Sequence, residues 1–587
     1  MKDTTQEIPA ESGYEDNALS PDALTLKEAQ SKGAGPKLAA YIKLSGPGWL
    51  QSAITLGGGS LTGSLYLGVL AGFSMLWLQP LAMIFGIIML SAIGYVTMST
   101  GERPFQAIKI HINPVLAWGW AMASLAASMV WALPQYSLAN GVLQQNLFPV
   151  LLGPDGPVGD FGSKLIISIT ILVLTTAITW NYGRGGVGVR LYELILKIMV
   201  AIIVICFAGV VIRLALSPAG LDWGALWRGF LPNPVMIFRP AEGFGPLLAA
   251  IPDGHAAYWS DLIVSRQRDV MVAAAATAVG INMTFLFPYS ILRRRWGKEF
   301  RGFMKFDLGT GMFIPFVLAT SCVVIAAASQ FHTVPQPGVI PGEGGNEEIV
   351  EASASAGQLR EYNALLSGRV LSELSPEEAE QISDGELEQR IEALGASDKY
   401  MAAMLVTRDA FDLATALEPF TGDFFGRILF GIGVLGMTLS SITLLMLISG
   451  FVICEVFNLP HSGWPLRIGS LAAATGVLGP FIWGQAAFWL AIPTSVFGFI
   501  LIPIAYLTFF LMMNQRTLLG KEMPRGGRRV AWNLTMGIAV IVFGAASISM
   551  VWQRAGTWGI AFIALFLGAA AVAHFMKKSG AQTPRNP

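Results

Sequence analysis

Twelve stretches of about 20 mostly apolar residues recur along the chain, near residues 46–70, 73–100, 112–133, 164–181, 191–214, 270–292, 308–330, 424–456, 464–484, 488–513, 530–552 and 556–576. In lipid every backbone N–H and C=O has to be satisfied within its own segment, so stretches of this length cross the hydrocarbon core as helices. Only 13% of the 587 residues are charged, against roughly 25% in a soluble domain. The reading is an all-α polytopic membrane protein of about 12 transmembrane helices, with the lipid bilayer as its partner. The 38 basic and 38 acidic residues cancel, so no global basic field recruits nucleic acid. Cys206, Cys322 and Cys454 sit in apolar runs, and the five histidines form no ligand-spaced pair. No phosphate loop, nucleophile elbow or His-Glu-x-x-His pattern is present. The expectation is a non-enzyme with no cofactor and no resident metal.

Lys/Arg bias sets orientation. Arg293, Arg294, Arg295, Lys298, Arg301 and Lys305 between the sixth and seventh spans mark an inside loop, which places both termini in the cytoplasm and the protein in the plasma (inner) membrane. Residues 1–45 then read as a flexible cytoplasmic tail, 215–269 as an extracellular connecting segment, 514–576 as two added spans and 577–587 as a second cytoplasmic tail. The extracellular segment 332–423 holds eighteen Asp/Glu, Glu347, Glu348, Glu377, Glu378 and Glu380 among them, against five Lys/Arg. Such a run reads as a solvated helical cap, with cation gathering as the alternative.

Helix breakers inside spans point to a binding site, because irregular backbone at membrane depth is tolerated only around a cavity. The first span contains Gly57-Gly58-Gly59-Ser60, and the sixth contains Phe287-Pro288-Tyr289-Ser290. Each glycine costs a helix about 1 kcal/mol relative to alanine. The two spans hold equivalent places if residues 46–214 and 270–513 are two five-helix repeats. Paired broken helices of that kind belong to secondary transporters.

Gly46-Pro47-Gly48-Trp49-Leu50, Leu76-Trp77, Gly280-Ile281, Lys305-Phe306-Asp307-Leu308, Ser440-Ser441 and Ser449-Gly450 together resemble the Nramp family of proton-coupled divalent metal transporters. The likeness covers most of residues 46–513 and implies the LeuT-type (APC superfamily) inverted-repeat fold, with helices one and six broken. On this comparison Gly57 and Ser60 stand where the family has its metal-ligating carboxylate and amide. Phe287 takes the thioether's place, Thr284 that of the carbonyl ligand and Tyr289 that of the motif histidine. Ser124, Trp131 and Pro134 replace helix-three acids associated with proton movement.

Unwound glycine-rich backbone beside a half-helix N-terminus offers N–H donors and a partial positive charge. The expected substrate site is therefore Gly57, Gly58, Gly59 and Ser60, with hydroxyls from Thr284, Tyr289 and Ser290 and apolar walls from Phe287, Pro288 and Trp131. The favoured function is alternating-access transport of a small neutral or anionic solute. One alternative is a divalent cation of the Mg²⁺ or Mn²⁺ type in a hydroxyl and carbonyl site; another is a non-transporting sensor that kept the fold.

Overall fold

The computed structural model describes residues 20–182, 187–218, 220–252, 255–340, 354–422, 424–482 and 490–580. Among these residues the secondary structure is entirely helical. We label α1 (Pro47–Thr55), α2 (Gly58–Ala71), α3 (Leu78–Thr100), α4 (Pro114–Val142), α5 (Gly159–Tyr182), α6 (Val187–Ala215), α7 (His255–Ala278), α8 (Met283–Arg293), α9 (Ile314–Phe331), α10 (Phe430–Val456), α11 (Ala491–Met513) and α12 (Gly527–Gly580). Among the described residues ten helices are long and apolar enough to cross a bilayer, and α1 with α2, bent by 55°, make an eleventh span when taken as one. The α12 rod turns at Gly556 (φ 52°, ψ −140°) and so supplies two spans, which gives the expected twelve.

The first break falls where the glycines put it, between Thr55 and Gly58. Helix α2 is enclosed by α7 and α9, and every residue in it except Gly59 is buried. Close approach requires glycine at one point: a Cβ on Gly68 would lie 2.6 Å from the Val324 carbonyl oxygen of α9.

The second break differs from the sequence expectation. It lies at residues 279–282, between α7 and α8, and Pro288 sits inside continuous α8. Side chains satisfy the backbone freed there: the Asn282 side-chain oxygen accepts from Met283 N at 2.9 Å, and the Thr284 and Ser124 hydroxyls donate to the Ile281 carbonyl. Membrane helices tolerate proline where neighbours compensate for the missing N–H.

On the face that carries the N-terminus, α1 is latched at its first turn. The Asp307 carboxylate accepts from Gly46 N at 3.0 Å, from Gly48 N at 2.6 Å and from the Ser45 hydroxyl. A carboxylate at a helix N-terminus is favoured by the helix dipole and by the unpaired N–H groups. Beside it Arg294 pairs with Glu193 and donates to the Leu44 carbonyl at 3.1 Å, while Lys197 donates to the Ser45 carbonyl at 2.6 Å. Residues 21–44, read from the sequence as part of a flexible tail, form two helices, Pro21–Ser31 and Ala34–Leu44. Ser20 caps the first, Asp22 accepts from Trp296 Nε1 at 3.0 Å, and the Tyr41 ring packs on Phe303 and Phe306. Residues 1–19 and 581–587 of the expected tails, and Glu347 and Glu348 of the insertion, lie outside the described residues.

The opposite face carries the acidic insertion, whose helices Ala356–Leu371, Pro376–Gln381, Asp384–Glu392, Ala396–Leu405 and Ala410–Thr421 pack on the bundle. Asp398 accepts from Trp259 Nε1 of α7 at 2.7 Å and pairs with buried Arg369 at 3.3 Å. The Tyr66 hydroxyl of α2 donates to the Arg408 carbonyl at 2.5 Å. Asp409 caps the last helix, accepting from Phe411 N and Asp412 N at 2.8 Å each. Burial, then the nearby Asp412 carboxylate, push Asp409 well above the usual carboxylate range. The folded state thus binds this proton more tightly than the unfolded chain, whose carboxyl titrates near 3.8. The stabilisation is complete below that value and declines as pH rises toward neutrality. Asp409→Asn keeps the cap and removes the charge, so proteolysis of the insertion, which accelerates with rising pH in the parent, is expected to lose most of that acceleration. An unchanged slope would contradict the assignment.

Candidate functional site

The first break opens onto a cavity of about 20 Å³, which the end of α7 also borders, room for about one water-sized particle. The first broken helix lines it with Ile54, Thr55, Gly57, Gly59 and Ser60; α4 adds Trp131, Pro134 and Gln135; Thr277 comes from the end of α7 and Thr494 with Ser495 from the first turn of α11.

Each wall has a local cause. The α1 helix stops after Leu56 N bonds to the Ser52 carbonyl, so the Ile54, Thr55 and Leu56 carbonyls receive no donor among the described residues. The Ala53 carbonyl accepts from the Ser440 hydroxyl at 2.8 Å. At the start of α2, Gly58 N donates to Gln135 Oε1 at 2.9 Å and the Ser60 hydroxyl donates to the Gly57 carbonyl at 2.8 Å. The break therefore presents carbonyls from a helix C-terminus and N–H groups from a helix N-terminus, partial charges of opposite sign. Gly57 is required by space: its Cβ would fall 2.3 Å from the Ser441 hydroxyl oxygen, a buried group without a hydrogen-bond partner. The Trp131 indole is fixed by its Nε1 donating to the Thr494 carbonyl at 2.8 Å. It is also gripped by two glycines, since a Cβ on Gly280 would lie 2.5 Å from the ring and one on Gly498 2.7 Å.

The site is uncharged. Helix α4 carries no Asp, Glu, His, Lys or Arg along its whole length. Among the described residues no three His, Cys, Asp or Glu side chains are grouped to hold a metal ion. No sulfur lines the cavity either, so the donors are hydroxyl, amide and backbone groups.

Of the residues expected from the sequence, Gly57, Gly59, Ser60 and Trp131 line the cavity, and Gly58 adjoins it through Gln135. Thr284 lies a layer away, accepting from Trp120 Nε1 at 2.8 Å. Phe287 turns toward α3, where it would meet a Cβ on Gly94 at 2.8 Å. Pro288 is within α8, Tyr289 stacks between Phe285 and Phe451, and the Ser290 hydroxyl donates to the Phe287 carbonyl at 2.6 Å. None of these last four lines the cavity. Gln135, Thr277, Thr494 and Ser495 were not expected. The available signals were a glutamine directly after Pro134 in an apolar helix and the Pro493-Thr494-Ser495 run opening another.

The sequence profile described as natural resistance-associated macrophage protein-like matches residues 48–362 and 393–553. The manganese transporter pdt1 of Schizosaccharomyces pombe is 24% identical over 238 residues, a stretch covering 40% of this chain and 42% of that protein, so less than half of its length is spanned. The fold is shared with crystal structures of the Eremococcus coleocola manganese transporter. A point mutant of that transporter superposes with TM-score 0.57 at 13% identity, covering 92% of this chain and 96% of that one. Its complex with an aromatic bis-isothiourea compound gives TM-score 0.58 at 14% identity and the same coverage.

Proposed function

Since the chain belongs to the Nramp family, an integral membrane family of transporters with the LeuT fold, we propose that it carries a small divalent cation, Mg²⁺ or Mn²⁺, through the break between α1 and α2. The observation that carries this reading is the cavity itself: at about 20 Å³ it matches one ion-sized particle more closely than an organic solute. Free carbonyls ending α1, with the hydroxyls of Ser60 and Ser495 and the Gln135 amide, are the hard neutral oxygens that such cations accept. The absence of sulfur from the lining removes the preference for softer transition metals. The N-terminal face is taken as cytoplasmic and the membrane as the plasma membrane, in line with the basic loop from Arg293 to Lys305.

A small anion or neutral solute is the second reading. It is favoured by the Gly59 and Ser60 N–H groups at the start of α2, which have no partner among the described residues.

A thermal-shift screen of purified protein against Mg²⁺, Mn²⁺, amino acids and small anions separates the two. A ligand of the folded state at 100 times its Kd adds about 2.7 kcal/mol of stability. Stabilisation by anions or amino acids alone would overturn the cation reading. Gly58→Ala tests the location. The added methyl meets only flexible ends, Leu138 Cδ2 at 2.8 Å and Gln135 Oε1 at 3.0 Å, while alanine favours refilling the break with helix by about 1 kcal/mol. The expected result is a folded protein that binds the ion at least about tenfold more weakly, about 1.4 kcal/mol. Intact affinity with a lowered melting temperature would make Gly58 a packing glycine only.

A further inference from the structure

Carboxyl, imidazole and basic side chains are absent from α4, and a buried cluster of such groups lies at the N-terminal-face end of α10. Glu455 ends that helix with its side chain fully buried, and neither carboxylate oxygen has a well-formed hydrogen bond. His461, from the loop after α10, places Nε2 3.0 Å from Oε2. Arg103, from the segment after α3, stands 3.6 Å away, beyond hydrogen-bond distance, and is 44% exposed. The Tyr289 hydroxyl of α8 is buried beside Glu455 without a well-formed hydrogen bond. Cys454 is the adjoining residue on α10. On the neighbouring elements Arg293 lies over the Tyr182 ring and Arg467 over the rings of Trp180 and Trp464.

A buried carboxylate without a well-formed hydrogen bond, beside a histidine, is an arrangement able to hold a proton between the two groups. The exposed Arg103 and the partly exposed His461 connect Glu455 to water on the N-terminal face. Inward, the cluster is continuous with the broken helix. The Tyr289 ring stacks on His461 at 5.2 Å and on Phe285 at 4.8 Å; Phe285 stacks on Trp120 at 4.4 Å, and Trp120 bonds to Thr284 next to the second break.

We propose that Glu455 and His461 form a proton-binding site that sets the gate on the N-terminal face: the protonated pair holds α8 against α10 and keeps the gate shut, and loss of the proton favours the open form. The bound proton sits on Glu455 or is shared with His461 Nε2, and on opening it passes to water from that face. The proposal uses the transport reading only to identify the gate, and neither readout below requires a transported ion.

The first readout is infrared difference spectroscopy of purified protein in lipid between mildly acidic and mildly alkaline pH. The parent is expected to show a buried carboxylic C=O band at acid pH that Glu455→Gln lacks. The second is labelling of a cysteine placed at Thr55, which lines the cavity, by a reagent supplied from the N-terminal face, with Cys206, Cys322 and Cys454 replaced by alanine. Labelling is expected to rise several-fold with pH in the parent and to stay low and flat in Glu455→Gln, which mimics the protonated form. Tyr289→Phe, which removes only the hydroxyl beside Glu455, is expected to shift the midpoint of both readouts and serves if the glutamine variant does not fold. A band unchanged in Glu455→Gln, or no band in the parent, overturns the proton site. A band present with labelling that ignores pH overturns its control of the gate.

Discussion

Asp307→Ala is expected to swing the transporter open on its N-terminal face. The carboxylate is the acceptor for Gly46 N, Gly48 N and the Ser45 hydroxyl at the first turn of α1. Hydrogen bonds to a charged group contribute about 1.5–3 kcal/mol each, so losing all three costs the closed form upward of about 4 kcal/mol, a population change on the order of a thousandfold. Arg294 and Lys197 hold only the stretch before α1, through the Leu44 and Ser45 carbonyls. A cysteine at Thr55 should accordingly become labelled from that face at a rate near that of an exposed thiol. Gly48→Ala should act the same way, because its Cβ would sit 2.2 Å from the Asp307 carbonyl oxygen. Labelling as slow as in the parent would show that the latch does not hold the gate.

Trp131→Ala is expected to have the largest effect on the site. Emptying a buried tryptophan position costs about 3–5 kcal/mol, and here the two facing residues, Gly280 and Gly498, have no side chains to fall into the space. The melting temperature should drop sharply and the cavity should admit ligands it now excludes. Binding of a small organic anion to this variant but not to the parent would show that the indole, rather than the chemistry of the break, sets the size limit. A melting temperature equal to the parent's would mean that the ring is not packed as described.

The first break was legible because three consecutive glycines each weaken a helix by about 1 kcal/mol relative to alanine, and the structure opens there. The second was misplaced because proline is the loudest breaker in a sequence, whereas Pro288 is accommodated inside α8. The true break rests on quieter residues, Gly280 and Asn282, whose role depends on hydroxyls from nearby Thr284 and from Ser124, 157 positions from Ile281 in the chain. Gln135 escaped notice for the same reason: its amide matters only because Gly58 lies opposite it, 77 positions away in sequence. The two helices at 21–44 were hidden by a polar composition, although Ser20 and Pro21 form a helix start and Ala23, Leu26 and Ala29 mark a buried stripe.

The insertion is tied to the broken helix. Tyr66 belongs to α2, one of its two halves, and its hydroxyl is bonded to the Arg408 backbone of the insertion. Arg408 in turn donates to the Val334 carbonyl just beyond α9. The insertion is thus a handle on the outside of the molecule whose shaft reaches the broken helix. An antibody fragment that braces its helices against the rest of the surface would work as a brake, arresting the cycle without ever approaching the cavity.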